Sequence, residues 1–206
     1  MHRVVEEIYE SNKWRDGEFA KFKINSSNVD EALWCRMCIP MIYAHWEGFV
    51  VSSLKVVLEY LSRLELSPKD VKTNIVVIGL GNSYKSLSGK QSFKQRIEFT
   101  DRFSGIYQEQ LKFTQKIDTK SNLKSNVLSE ICEMFSIDFS DFQSQVGDID
   151  RLVHVRNSIA HGENSIVPRM ENVEKYIEAV TKSMDVLIEE IRKFVEDEKY
   201  LVEKID

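Results

Sequence analysis

The chain of 206 residues carries a formal net charge of −5, with 42% hydrophobic and 30% charged residues. This composition is typical of a water-soluble globular protein, and the length suits one domain covering residues 1–206. No apolar run approaches the roughly 20 residues that cross a bilayer, and the N-terminus has no apolar signal region. These observations argue against a membrane protein and make a cytoplasmic location the expectation.

The first third of the chain is patterned for helices. Only eight glycines and three prolines occur in the whole sequence, which favours long helices over many turns. Apolar spacing predicts a first helix over residues 4–14, closed by Asp16-Gly17, and a long second helix over residues 29–64. Pro40 should kink or split that second helix.

The rest of the chain is also predicted to be helical. The run Ile75–Ile78 resembles a strand, but it is too short to decide by periodicity, and a buried helix suits its surroundings better. We expect a loop at residues 85–89, a polar turn at 118–126 and a frayed acidic end at 196–206. Further helices are predicted over residues 91–115, 127–135, 142–161 and 173–200. The predicted fold class is therefore all-α, a helical bundle with a kinked long second helix.

The three cysteines do not form a recognisable redox or metal site. Cys35 and Cys38 have the spacing of a redox pair, but they lie inside a helical pattern with no strand before them. Cys132, even together with His45, does not complete a zinc-binding set. We predict that the cysteines are buried and reduced, and that the protein needs no metal or other cofactor.

The middle of the chain is basic although the whole is acidic. Residues 82–126 contain nine basic and four acidic side chains, a balance of +5, whereas the remainder carries −10. Aromatic residues are interleaved with these charges, namely Phe93, Phe99, Phe103, Tyr107 and Phe113. Two interpretations stay open: a surface that follows a phosphate backbone, or an amphipathic helix whose aromatic side chains face the core.

The most informative motif is Arg156-Asn157-Ser158-Ile159-Ala160-His161-Gly162. Helical geometry places Arg156 in the middle of an apolar stripe, where an unpaired guanidinium must meet a carboxylate, an anion or another subunit. Asn157, His161 and His154 lie on the other side of the helix. Gly162 is expected just beyond the helix end, which places His161 in the last turn of the helix.

This motif resembles the Arg-x4-6-His signature of the HEPN (higher eukaryotes and prokaryotes nucleotide-binding) superfamily. The resemblance is closest to the MAE-type branch of bacterial HEPN nucleases and extends from about residue 30 to 190. It rests on three further segments, Ala44-His45-Trp46-Glu47-Gly48-Phe49-Val50, Leu58-Glu59-Tyr60-Leu61 and Thr119-Lys120-Ser121-Asn122-Leu123-Lys124-Ser125. It implies a metal-independent ribonuclease whose RNA-binding cleft lies at a homodimer interface.

The motif residues suit RNA cleavage without a metal, because the 2′-hydroxyl of RNA is its own nucleophile. His161 can transfer the protons near neutral pH, and Arg156 can stabilise charge that develops on the phosphate. Asn157 can donate to a phosphate oxygen or fix the tautomer of the histidine. Glu47, His45 and His154 are supporting candidates, with Glu47 or His45 facing Arg156 across the bundle. The alternative is a structural arginine paired inside the bundle and a histidine that caps its helix.

The predicted function is a dimeric endoribonuclease that leaves 2′,3′-cyclic phosphate ends. It would act as a toxin or defence effector that an antitoxin or regulatory partner restrains. On an ideal helix Arg156 and His161 diverge by about 140°, and a two-fold dimer would bring both into one cleft. The alternative is a non-catalytic helical module in which Arg156 holds a nucleotide phosphate or a partner's carboxylate.

Overall fold

A computed structural model of the protein describes residues 1–81, 92–113 and 116–203. The regular structure within these residues is helical, and only an isolated bridge pairs Val71 with Leu201. The α-helices are α1 (Arg3–Asn12), α2 (Trp14–Ile24), α3 (Glu31–Arg63), α4 (Thr73–Leu80), α5 (Phe93–Ile106), α6 (Ser125–Met134), α7 (Val146–Ala160) and α8 (Met170–Glu196). The predicted all-α bundle is confirmed.

The long helix α3 is the centre of the bundle and packs against α1, α2, α7 and α8. Its first turn is capped by Asp30, whose carboxylate accepts a hydrogen bond from the backbone N–H of Leu33 at 2.9 Å. The helix continues through Pro40 without being split. Buried side chains occur on several of its faces, which explains why the apolar pattern of this segment is broad rather than confined to one stripe.

The predicted end of the first helix at Asp16-Gly17 is wrong. The first helix, α1, ends earlier, at Asn12. The next helix, α2, begins at Trp14 and runs through Asp16 and Gly17. Phe19 and Phe22 are buried on α2. Their burial outweighs the cost of having glycine rather than alanine inside a helix, which is about 1 kcal/mol. The long helix is therefore the third element of the bundle and not the second.

The strand-like run Ile75–Ile78 is helical, as predicted. Ile75, Val76 and Ile78 are buried within α4. The asparagine at the start of this helix, Asn74, donates to the carbonyl oxygens of Glu133 and Met134 at 3.2 and 2.9 Å. These bonds attach α4 to the end of α6.

The C-terminal segment after α8 is bonded to the bundle at residues 200–202, in contrast to the predicted fraying. The backbone N–H of Lys72 donates to the carbonyl of Tyr200 at 2.9 Å, and that of Val202 donates to the carbonyl of Asp70 at 3.0 Å. The ring of Tyr200 is buried. Residues 204–206, like the loop predicted at 85–89, lie outside the described residues.

The aromatic side chains of the basic middle are partly exposed and partly in the core. On α5, Phe93 is 71% exposed, whereas Phe103 and the following Tyr107 pack against the core. Phe113 is buried in the extended segment that follows α5. The predicted helix over residues 91–115 therefore ends early, at Ile106.

The cysteines Cys35, Cys38 and Cys132 are buried and unbridged, as predicted. Burial raises the pKa of the Cys38 thiol to about 11 and that of the Cys132 thiol to about 12, so both remain protonated. None of the helices in the described part of the chain has the length and apolar character needed to cross a membrane.

Candidate active site

The motif histidine lies at the end of α7. His161 is the C-cap residue, and Gly162 follows with φ of +79°, in the left-handed region where glycine is favoured. The N–H of Gly162 donates to the carbonyl of Ile159, and the N–H of Glu163 donates to the carbonyl of Ser158, both at 3.0 Å. This pair of bonds is a Schellman motif and confirms the predicted helix end. The side chain of His161 is exposed.

Arg156 is half-buried one and a half turns before His161. Its guanidinium carbon lies 4.3 Å from the centroid of the Tyr43 ring, in a cation–π contact with α3. Nη1 donates to Oδ1 of Asn157 at 2.8 Å and makes a long contact of 3.5 Å with the carbonyl of Ser121. Within residues 1–81, 92–113 and 116–203, no carboxylate pairs with this guanidinium.

Tyr43 is the platform for Arg156 and is itself held from two sides. Its hydroxyl donates to Oε1 of Glu47 at 2.8 Å and accepts from the backbone N–H of Leu123 at 3.0 Å. The hydroxyl of Thr119 donates to the same Glu47 oxygen at 2.6 Å. Burial raises the pKa of Tyr43 to about 12, so the phenol remains a donor at neutral pH.

Asn157 connects the motif to the same loop. Its Nδ2 donates to Oδ1 of Asn122 at 3.0 Å, while its own Oδ1 accepts from Arg156. The loop of residues 119–123 thus contacts Glu47 through Thr119, Tyr43 through Leu123 and Asn157 through Asn122. The structure brings together the Ser-Asn-Leu segment, the His-Trp-Glu segment and the Arg-Asn motif, which are distant in sequence.

A family model described as RiboL-PSP-HEPN matches residues 10–195. The chain belongs to the HEPN superfamily. No curated protein and no solved structure matches it. HEPN families are generally associated with ribonucleases, so a nuclease function fits both the family and the site.

Of the supporting candidates, Glu47 lies in the cluster around Arg156 and is linked to it through Tyr43. His45 lies in a different, buried cluster between α2 and α3. Its Nδ1 accepts from Nη1 of Arg15 at 3.1 Å, and its Nε2 lies 3.0 Å from the carboxylate of Glu18. His45 therefore does not touch Arg156.

The environment of His45 favours the neutral form of its ring. Burial lowers its pKa, and the adjacent Arg15 lowers it further, although Glu18 opposes the shift. With Nδ1 accepting from Arg15, the ring hydrogen is on Nε2 and donates to Glu18. His154, the remaining candidate, is exposed on α7 and makes no side-chain hydrogen bond to a described residue.

Sequence reasoning missed two residues that shape this site. Tyr43 precedes Glu47 by one helical turn, and its alignment with Glu47 was the available signal. Arg36, two turns before Tyr43, donates to the carbonyls of Glu163 at 2.9 Å and Ile166 at 3.1 Å. It thereby anchors the loop that begins directly after His161. No sequence pattern indicated this contact, because the acceptors are backbone atoms.

Proposed function

We propose that this protein is a metal-independent endoribonuclease that acts as a homodimer and leaves 2′,3′-cyclic phosphate ends. The observation that supports this most strongly is the state of Arg156. Its guanidinium packs on the ring of Tyr43 and donates a hydrogen bond to Asn157, yet no described carboxylate neutralises it. A half-buried cation of this kind suits an anionic ligand, and a phosphate fits a guanidinium through two parallel hydrogen bonds.

The proposed chemistry needs no metal because RNA supplies the nucleophile. A base removes the proton from the 2′-hydroxyl, the oxygen attacks the adjacent phosphate, and an acid protonates the departing 5′-oxygen. His161, exposed at the helix end, performs these proton transfers, each of which typically contributes about 10²–10⁴-fold. Arg156 stabilises the additional negative charge on the phosphate. Asn157 holds Arg156 in position and keeps one amide hydrogen for the substrate.

The dimer is proposed because Arg156 and His161 point in different directions along one helix, while one cleft needs both. An apolar stripe on α3 supports an interface near this site. Leu33, Met37 and Met41 recur at every fourth residue and are 53%, 55% and 47% exposed. Such a stripe is costly to leave in water, and a second copy would cover it while bringing two motifs together.

The decisive experiment is cleavage of single-stranded RNA in the presence of EDTA. We expect wild type to cleave, with products ending in 2′,3′-cyclic phosphate, and a substrate with 2′-deoxyribose at the scissile position to resist. His161→Ala should abolish cleavage and leave the fold intact, and Arg156→Ala should also abolish it. Arg151→Ala, which removes an exposed arginine from the same helix, is the matched control and should cleave normally. Undiminished cleavage by His161→Ala, or a requirement for Mg²⁺, would contradict the mechanism and favour a non-catalytic binding module.

The dimer has a separate test. Inactive Arg156→Ala and inactive His161→Ala are mixed, unfolded and refolded together, so that mixed dimers form. If one cleft uses residues from both copies, the mixture should regain a fraction of wild-type cleavage. Light scattering that shows a monomer at micromolar concentration would contradict the dimer, and a mixture without any activity would contradict the shared cleft.

The proposed biological role is that of a toxin or defence effector restrained by a partner protein. An endoribonuclease that is not restrained degrades the RNA of its own cell, which is the reason for including an antitoxin or regulatory partner. Production of the wild-type protein alone should arrest growth, and production of His161→Ala should not. Equal growth of both strains would argue against this role.

A further inference from the structure

A groove along α3 lies beside the candidate active site. The described residues of the segment 111–123, which are 111–113 and 116–123, run antiparallel to α3. At one end the N–H of Leu111 donates to the carbonyl of Leu66 at 2.9 Å, just beyond α3. At the other end, Thr119 and Leu123 contact Glu47 and Tyr43. Between these ends the segment and the helix enclose a groove.

The groove has an apolar floor and a basic rim. Its volume is about 490 Å³. The apolar lining consists of Val51, Leu58, Phe113 and Ile117. Lys55 from α3 and Lys116 from the opposite segment lie at the rim, and both are exposed.

The charge at the rim is net positive. Glu59 is the acidic residue that lines the groove, and it lies 4.0 Å from Lys55 and 3.9 Å from Arg63. Its single negative charge is thus shared by two cations. Lys116 pairs with no carboxylate in the part of the chain that the structure describes. The groove therefore favours an anionic ligand over a cationic one.

The groove ends next to the candidate active site. Val51 is one helical turn beyond Glu47, and Ile117 is two residues before Thr119, so the Glu47–Thr119 hydrogen bond is the boundary between the two. Lys55 lies twelve residues beyond Tyr43, or about 18 Å at 1.5 Å per residue. A strand whose phosphate sits at Arg156 reaches this position with a few further nucleotides.

We propose that this groove binds the single-stranded RNA that flanks the scissile phosphate. A base packs against the apolar floor, and backbone phosphates lie against Lys55 and Lys116. This combination of apolar platform and basic rim is how proteins bind single strands without reading a sequence. The inference rests on the proposed function and adds to it a second binding site, for the unpaired RNA on one side of the cleaved bond.

The test compares two oligoribonucleotides with the same cleavage site. The short one ends next to the scissile bond, and the long one extends by about six nucleotides on the side under test, within the span of known single-strand sites. For wild type we expect KM to be about tenfold lower for the long RNA, with kcat little changed, since one packed base contributes that order of affinity. Extensions on each side are tested separately.

Three variants locate the effect. In Lys55→Glu/Lys116→Glu the ratio of the two KM values should fall to near one. In this variant the slope of log KM for the long RNA against log salt concentration should be smaller than in wild type by about 1.4. This is the change expected for two lost phosphate contacts to a single strand. Val51→Trp fills the groove without a charge change and should also abolish the advantage of the long RNA. Lys21→Glu/Lys23→Glu makes the same charge change on exposed positions of α2 and should retain it.

The outcomes separate this inference from the proposed function. If wild type cleaves both RNAs with equal KM, or if the α2 control loses as much as the groove variant, the groove does not bind RNA. If wild type cleaves neither RNA, the proposed function fails and the groove inference fails with it. Lys55 and Lys116 are exposed, so the charge variants should fold even if Val51→Trp does not.

Discussion

Replacing Tyr43 separates two roles that this side chain combines, and it gives the most specific prediction from the site. Tyr43→Phe removes the hydroxyl, so the N–H of Leu123 loses its acceptor and Glu47 loses one of two donors. Leaving a buried donor unpaired costs about 1–3 kcal/mol. At about 2–4 °C per kcal/mol for a chain of this size, the melting temperature should fall by roughly 2–12 °C. The ring remains, and so does its contact with Arg156.

Tyr43→Leu removes the platform as well. A partly desolvated cation–π contact is worth about 1–2 kcal/mol, so its loss should reduce kcat/KM by roughly 5- to 30-fold beyond the loss in Tyr43→Phe. Circular dichroism melts and RNA cleavage are measured on both variants, with Tyr9→Phe on an exposed position of α1 as the control. Equal activity of Tyr43→Phe and Tyr43→Leu would refute the platform. A melting temperature of Tyr43→Phe equal to wild type would refute the role of the hydroxyl.

The remaining predictions concern stability. The pKa of His45 is lowered in the folded protein by burial and by Arg15, so the unfolded chain binds the proton more readily. The stabilisation that this difference contributes is fully present above the pKa of the unfolded state, about 6.5. It is lost as the pH falls through the pKa of the folded state. Urea unfolding of His45→Gln between pH 7 and 5 should therefore lose less stability than wild type, and parallel curves would contradict this. Gly17→Ala should stabilise α2 by about 0.5–1 kcal/mol, because no atom lies within 4 Å of an added Cβ. Gly162→Ala should destabilise by about 1 kcal/mol because of its positive φ, and thermal melts that give both variants the same sign would contradict the pair.

The fold was predictable where the surroundings of a segment agree on one structure, even when its own apolar spacing does not decide. The run Ile75–Ile78 was predicted as helix because its neighbours are helical, and it is buried as part of α4. The end of the first helix was not predictable from Asp16-Gly17. A local turn signal there competes with burial of Phe19 and Phe22 against the bundle, and the sequence does not reveal which one is stronger.

The candidate site was predictable in its charged residues and not in its positioning residues. Arg156 and His161 stand out because a cation on an apolar stripe and a histidine before glycine need an explanation. Tyr43 does not, since a tyrosine in a long buried helix is ordinarily core. Glu47 and His45 are two residues apart and so face different sides of α3, and sequence alone could not tell which of them faces Arg156. The structure places Glu47 in the network beneath it and His45 with Arg15.

The three arginines that are buried or half-buried around α3 differ in how their donors are used. Arg15 donates to Asn12 and His45, and the charge of Glu18 is nearby. Arg36 donates through both terminal nitrogens to backbone carbonyls. Arg156 uses only Nη1 among the described residues, and Nε and Nη2 have no partner there. Those two nitrogens lie on one edge of the planar guanidinium, the edge that pairs with two oxygens of a phosphate. Arg15 and Arg36 are thus committed to holding the fold, and Arg156 is the arginine whose remaining donors match the substrate proposed for the site.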